Sequence, residues 1–174
     1  SLGIECDLVT NTNSIKKTRF VDDKTNQIII RVDEGEENTE EINVQHLDLN
    51  SYDGVIISDY VKGFLSEDSI RYICENHNNV LIDTKRLLGE YCSKAKFIKI
   101  NEDEHNASKH LLPNLSLYSS LIITLGSKGC KYLDKIYPVK KVEIKDQTGA
   151  GDTFVAAFLT MFIKNKNIDK SLKF

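Results

Sequence analysis

Four short runs, GVIIS (54–58), NVLID (79–83), KFIKI (96–100) and SLIITL (120–125), are apolar almost throughout, and stretches between them, SEDSIRYICENH (66–77) and NEDEHNASKHLL (101–112), read as helices. Runs apolar at successive positions suit strands buried on both faces. Their alternation with helices predicts parallel βαβ units in a layered α/β sheet. After the fourth run come short β segments, KYLD, IYPV and KVEIK, which predict an antiparallel margin to that sheet. A helix is expected from about residue 150 to 164, with Phe154, Val155, Phe158, Leu159 and Phe162 at helical spacing. Ahead of the sheet, KKTRFVDDKTNQIIIRVD (16–33) holds two β-rich runs around the polar tract Asp22 to Asn26, a hairpin that reads as a ribbon rather than a core layer. Residues 34–50 are acidic and weakly periodic, a surface connection with one short helix. The expected division is a lid-like hairpin segment with its connection over 1–50 and an α/β core over 51–174.

Composition narrows the function classes. A chain of 174 residues, 40% hydrophobic and 28% charged, is long enough for one core. Its net charge of -3, with Lys and Glu interspersed, offers no basic stripe for nucleic acid. Cys6, Cys74, Cys92 and Cys130 lie far apart with no C-x-x-C pair, so neither a zinc site nor a disulfide framework is expected, and a reducing, cytoplasmic setting fits. No apolar run approaches the roughly 18 residues that span a bilayer, and no signal pattern opens the chain. A dinucleotide fingerprint after a first strand, with an acidic residue some twenty positions on, is absent, as is a Walker-type phosphate loop.

The chemistry concentrates at DQTGAGDTF (146–154). Gly149 and Gly151 permit backbone conformations and close approaches that a side chain would block, and Ala150 adds little bulk. A helix starting here turns unpaired amides outward at the positive end of its dipole, a site for an anion such as a phosphoryl group. Asp152 falls in the first turn, where a carboxylate can take a proton from a hydroxyl. Phosphoryl transfer needs that combination of alignment and charge stabilisation. The plainer alternative is that Asp152 complements the dipole of a helix that only packs.

DQTGAGD followed by an amphipathic helix resembles the signature of the ribokinase/phosphofructokinase-B (PfkB) carbohydrate kinase family, usually D-T-x-G-A-G-D, with Gln147 at a variable place. The resemblance implies a ribokinase-like α/β fold and transfer of the terminal phosphoryl of ATP to a sugar or sugar-phosphate hydroxyl. Asp152 would be the base, the Gly149, Ala150 and Gly151 amides the anion hole, and Thr148 a nucleotide contact. KINEDE (99–104) resembles the family's N-x-x-E element, which gives Asn101 and Glu104 the task of ordering Mg2+ and its waters around the phosphates. The same four residues equally make a helix N-terminus with a capping residue. Thr124, Gly126 and Gly129 of IITLGSKGC match a T-x-G-x-x-G strand end near the nucleotide; a plain strand turn is the alternative.

ISDYVKG (57–63) and LIDTK (81–85) resemble S-D-Y-x-K-G and D-P-K elements of kinases acting on heptose 7-phosphate, with Thr84 in place of the proline. That likeness implies Lys62 and Lys85 facing phosphates, Asp59 at its strand end near the sugar, where open α/β sheets place ligands, and Arg19 and Arg31 reaching a sugar phosphate from the hairpin. It also implies a lid that pairs between subunits, hence a homodimer. The chain begins at Ser1, its one methionine is Met161, and the family's leading strand, its glycine-rich sugar stretch and the segments beyond the motif helix are not in it. It therefore reads as a piece of a longer protein. The competing reading is a truncated kinase fold that binds a nucleotide or a partner chain through an exposed sheet edge without catalysis.

Overall fold

The computed structural model describes residues 3–12, 14–25, 27–36, 39–139 and 149–174. The KVEIK segment and Thr148 lie outside them. Among the described residues six strands form one sheet in sequential order: β3 (Val55–Asp59), β4 (Val80–Thr84), β5 (Phe97–Asn101), β6 (Leu121–Thr124), β7 (Cys130–Tyr132) and β8 (Lys135–Tyr137). The first four run parallel, with α1 (Glu67–Asn76) and α2 (Glu102–Ser108) as crossovers, and β7 and β8 fold back antiparallel. The predicted parallel sheet with an antiparallel margin is the observed one.

Side chains alternate across a strand, so each strand feeds two cores. Ile57, Val80, Ile82, Ile98, Ile100 and Ile123 face α1, whose Ile70, Ile73 and Cys74 cover them. Leu81, Phe97 and Ile122 face α3 (Ala150–Asn165) and α4 (Ile168–Leu172) on the other side. The rings of Phe158 and Phe162 meet Phe97 edge-on at 4.9 and 4.8 Å, a geometry worth about 0.5–1.5 kcal/mol per pair beyond the area buried. These contacts fix the axis of α3 and therefore where its N-terminus points.

The expectation that all four apolar runs are covered on both faces fails for β3. It is an edge strand, hydrogen-bonded only to β4 among the described residues, and Ile56 is 43% exposed. Which strand lies at an edge depends on long-range order, not on the run itself. The hairpin is formed by β1 (Lys16–Val21) and β2 (Ile28–Glu34), antiparallel with a register shift at Phe20/Val21. It is a separate two-stranded sheet with Phe20, Ile28, Ile29 and Ile30 exposed, a ribbon as expected. In the connection, two one-turn 3-10 segments, Val44–His46 and Leu49–Ser51, stand where one short helix was expected; each buries one apolar residue, Val44 and Leu49. No helix among the described residues is long and apolar enough to cross a membrane.

Candidate active site

The C-terminal ends of β3 to β6 carry Asp59, Thr84, Asn101 and Thr124, and the N-terminus of α3 lies over the same end of the sheet. Gly149 caps the helix in the left-handed conformation (φ 78°) with no side-chain cap, and a Cβ there would meet open space. The small-residue turn thus leaves the first amides of a 16-residue helix unfilled by any capping side chain. Ala150 and Asp152 are exposed, and Gly149 and Gly151 half-buried. The hydroxyl of Tyr60 lies 3.5 Å from Oδ1 of Asp152.

Directly beneath this turn is a group that the sequence reading passed over. Lys99 and Asp83 are register partners on β5 and β4, both on the face that receives α3, and Lys99 Nζ donates to Asp83 Oδ2 at 3.0 Å. They are only 4% and 8% exposed. A Cβ built on Gly151 would sit 3.1 Å from Lys99 Nζ, so the glycine is what allows the ammonium to rise against the helix start. Asp83 Oδ1 is buried with no hydrogen-bond partner among the described residues, whereas buried carboxylate oxygens ordinarily have one. The signal was available: Asp83 and Lys99 stand among apolar neighbours in adjacent runs, and opposite charges buried in adjacent strands need each other.

The pair on the other face is separate. Asp59, 5% exposed, accepts from Arg86 Nε at 2.7 Å, Thr84 Oγ1 at 3.0 Å and the amide of Val61 at 2.9 Å. It sits at the end of its strand as expected, but with its carboxylate committed inward rather than turned toward a ligand. Arg86 is a second residue that sequence reasoning missed.

Asn101 and Glu104 are brought together as a capping box for α2: Asn101 Oδ1 accepts from the Glu104 amide at 2.8 Å, and Glu104 Oε2 from the Asn101 amide at 2.7 Å. The remaining oxygen, Glu104 Oε1, is paired with Lys85. Burial pushes the Lys85 ammonium toward a lower pKa, but the hydrogen bond and charge of Glu104 outweigh it, and the net shift is upward. Among the described residues no three His, Cys, Asp or Glu side chains gather to hold a metal. Each side-chain oxygen of Asn101 and Glu104 is thus already engaged, by the capping box or by Lys85.

Thr124 pairs with Asn101 across β5 and β6 and its hydroxyl donates to Ile100 O at 3.3 Å. Gly126 (φ 57°) has open space where a Cβ would be, whereas at Gly129 (φ 95°) a Cβ would be driven into the Tyr137 carbonyl. Gly129 is thus required by the close pass of β8. Gly129→Ala is expected to cost roughly 3 kcal/mol or more and Gly126→Ala only about 1 kcal/mol in urea unfolding; equal costs would contradict this division. Lys62 pairs with Glu36 at 2.5 Å, and Lys17 reaches Glu36 at 3.1 Å, which ties the hairpin to the strand ends. Arg19 and Arg31 face each other across the hairpin, both exposed, with Arg31 also on Asp33 at 2.9 Å.

Comparison with known proteins agrees with this architecture. The model of the pfkB family carbohydrate kinases matches residues 1–174. Bifunctional protein HldE of a Nitratiruptor species is 32% identical, the match covering 96% of this chain and 41% of that protein. The chain spans about two fifths of the length of such curated relatives. Among solved structures, the nucleoside kinase of Methanocaldococcus jannaschii aligns at TM-score 0.59 and 20% identity over 92% of this chain and 58% of its own. The ribokinase of Cryptococcus neoformans in complex with ADP aligns at TM-score 0.59 and 18% identity over 85% and 58%.

Proposed function

Since the chain belongs to the pfkB family of carbohydrate kinases, we propose that it forms the phosphoryl-transfer half of an ATP-dependent kinase whose acceptor is a phosphorylated sugar, heptose 7-phosphate being the leading candidate. The observation that carries this reading is the stack of Gly149, Gly151 and Lys99: open amides at a helix start with a buried ammonium beneath them. Amides, dipole and ammonium all act on the same incoming negative charge, the ammonium from a position beneath them that is shielded from water. Asp152, exposed beside them in the first helical turn, takes the proton of the acceptor hydroxyl. Asn101 and Glu104, the latter once released from Lys85, would hold the Mg2+ of ATP through water, the ion would supply charge neutralisation at the phosphates, and Lys85 would face a phosphate. Thr124 and Gly126 line the nucleotide side, to which the family motif also assigns Thr148. Asp59 acts through the turn it holds.

The acceptor's phosphate is inferred from the hairpin. Like charges directly opposite each other on a ribbon destabilise it, yet Arg19 and Arg31 are register partners on a face that also carries Lys17, where Asp33 already takes Arg31 at 2.9 Å and Lys17 at 3.7 Å. A dianion between them would offset that repulsion. The hairpin acts as a lid over the sugar, and its exposed Phe20, Ile28, Ile29 and Ile30 suit pairing with a second copy into a homodimer. ATP as co-substrate fits a cytoplasmic setting.

A coupled ADP-release assay over free sugars and phosphorylated heptoses tests the reading. Turnover confined to phosphorylated acceptors is expected, and Arg19→Ala or Arg31→Ala should raise the acceptor KM by about 10-fold or more, as befits a lost charge-assisted hydrogen bond, without a matching change for ATP. The open outer edge of β3, with Ile56 exposed, favours a second reading in which the chain binds nucleotide or a partner strand without catalysis. Calorimetric binding of ATP with Mg2+, and no turnover on any acceptor, would select it.

A further inference from the structure

Tyr60 itself has no role in the reading so far, and the turn that carries it is strained. Val61, a β-branched residue, adopts φ 57°, and Gly63 follows at φ 88°. The left-handed region is a strained place for a branched side chain, one that persists only where the surroundings over-determine it. Here they do. Asp59 Oδ1 accepts from the Val61 amide at 2.9 Å, Asp59 Oδ2 is held by Thr84 and Arg86, Arg86 Nη2 closes the far side on Leu65 O at 2.5 Å, and the Lys85 amide donates to Asp59 O at 3.0 Å.

The turn delivers one large side chain to the site. Tyr60 is 51% exposed, so the core gains little from it. Its hydroxyl reaches Asp152 Oδ1, and Lys17 of the hairpin and Lys85 of the strand end each sit 6.0 Å from its ring centre. We propose that Tyr60 is a positioning residue for Asp152: its hydroxyl holds Oδ1 so that Oδ2 is presented to the acceptor, and the strained Asp59–Gly63 turn serves to keep the ring there, between the lid lysine and Lys85. The role of Asp152 in this rests on the kinase reading. The 3.5 Å separation is long, as contacts at catalytic groups are before the reactants are in place.

Two measurements test it. The first follows the ring-carbon resonance of Tyr60 in 13C-tyrosine-labelled protein through an alkaline titration, assigned by its loss in Tyr60→Phe. Asp152, Asp83, Lys85 and Lys17 are the charged groups that face the phenol. Burial first, then the charges of Asp152 and Asp83, hold its pKa above the ordinary tyrosine value, with Lys85 opposing. Asp152→Asn removes one of those negative charges, so the Tyr60 midpoint should fall. An unmoved midpoint overturns the contact, whether or not the chain turns over sugar.

The second measurement is kinetic. Tyr60→Phe should lower kcat by about 10-fold with KM for ATP and acceptor nearly constant, the pattern of an interaction made only in the transition state. Val61→Gly should lower kcat severalfold with a melting temperature unchanged or higher, because glycine relieves the strain and frees the ring. Full activity in either variant overturns the proposal. Absent turnover in the unaltered protein, together with a midpoint that moves, would defeat the kinase reading while leaving the Tyr60–Asp152 pairing in place.

Discussion

Asp152→Asn is expected to lower turnover by a factor of about 10²–10⁴, the range for losing a positioned general base, while ATP binding measured by calorimetry stays within about twofold of the unaltered chain. The amide keeps the size and hydrogen-bonding reach of the carboxylate but cannot take a proton. Asp152 is exposed in the first turn and the described core does not depend on it, so the fold should survive and the loss should appear in kcat. The plainer role, a carboxylate that complements the helix dipole, gives a different result: a stability loss of about 0.3–1 kcal/mol and turnover close to normal. Retained turnover would refute the assignment of the base.

Lys99→Met should have the largest effect on stability. It strips the ammonium from Asp83 Oδ2 while Oδ1 already has no partner among the described residues, and leaves a carboxylate buried without compensation. Breaking such a pair from one side costs about 3–5 kcal/mol, a fall of roughly 10 °C in Tm for a domain of this size. The double variant Lys99→Met/Asp83→Leu replaces both charges by apolar groups, and replacements of that kind are often neutral. Its stability should therefore return to within about 1 kcal/mol of the starting protein. Turnover should not return: with no ammonium beneath Gly151, the phosphoryl site should remain weakened by about 10²–10³, the usual effect of losing one such electrostatic contact. If the double variant recovered both stability and turnover, the pair would be a purely structural feature.

Local pattern made much of the fold legible. The apolar runs over 79–83 and 96–100 correspond to β4 and β5, strands covered on both faces, and the three small residues at 149–151 marked the start of α3. The edge position of β3 was hidden because it depends on which strand lies beside it, information that no window of residues contains. At the site, sequence motifs gathered Asn101 with Glu104 and placed Asp152 at the helix start, but they could not say which oxygens were already engaged. Only the register sets Asp83 opposite Lys99, and only the alternation of faces separates that pair, beneath α3, from Asp59 and Arg86 on the α1 side. Asp59 shows the point most clearly. Its strand-end position was readable, yet its neighbours Thr84 and Arg86 come from the end of the following strand and the residues just after it, and draw the carboxylate inward.

The central claim is that the amides at the start of α3, with Lys99 under them, receive a phosphoryl group. The most direct measurement is a titration of 15N-labelled protein with ATP and Mg2+, following the amides of Gly149, Ala150, Gly151 and Asp152 and the side-chain nitrogen of Lys99. These resonances are predicted to shift together and saturate on one binding curve. Saturating ATP binding that leaves all five unmoved while shifting signals elsewhere would contradict it.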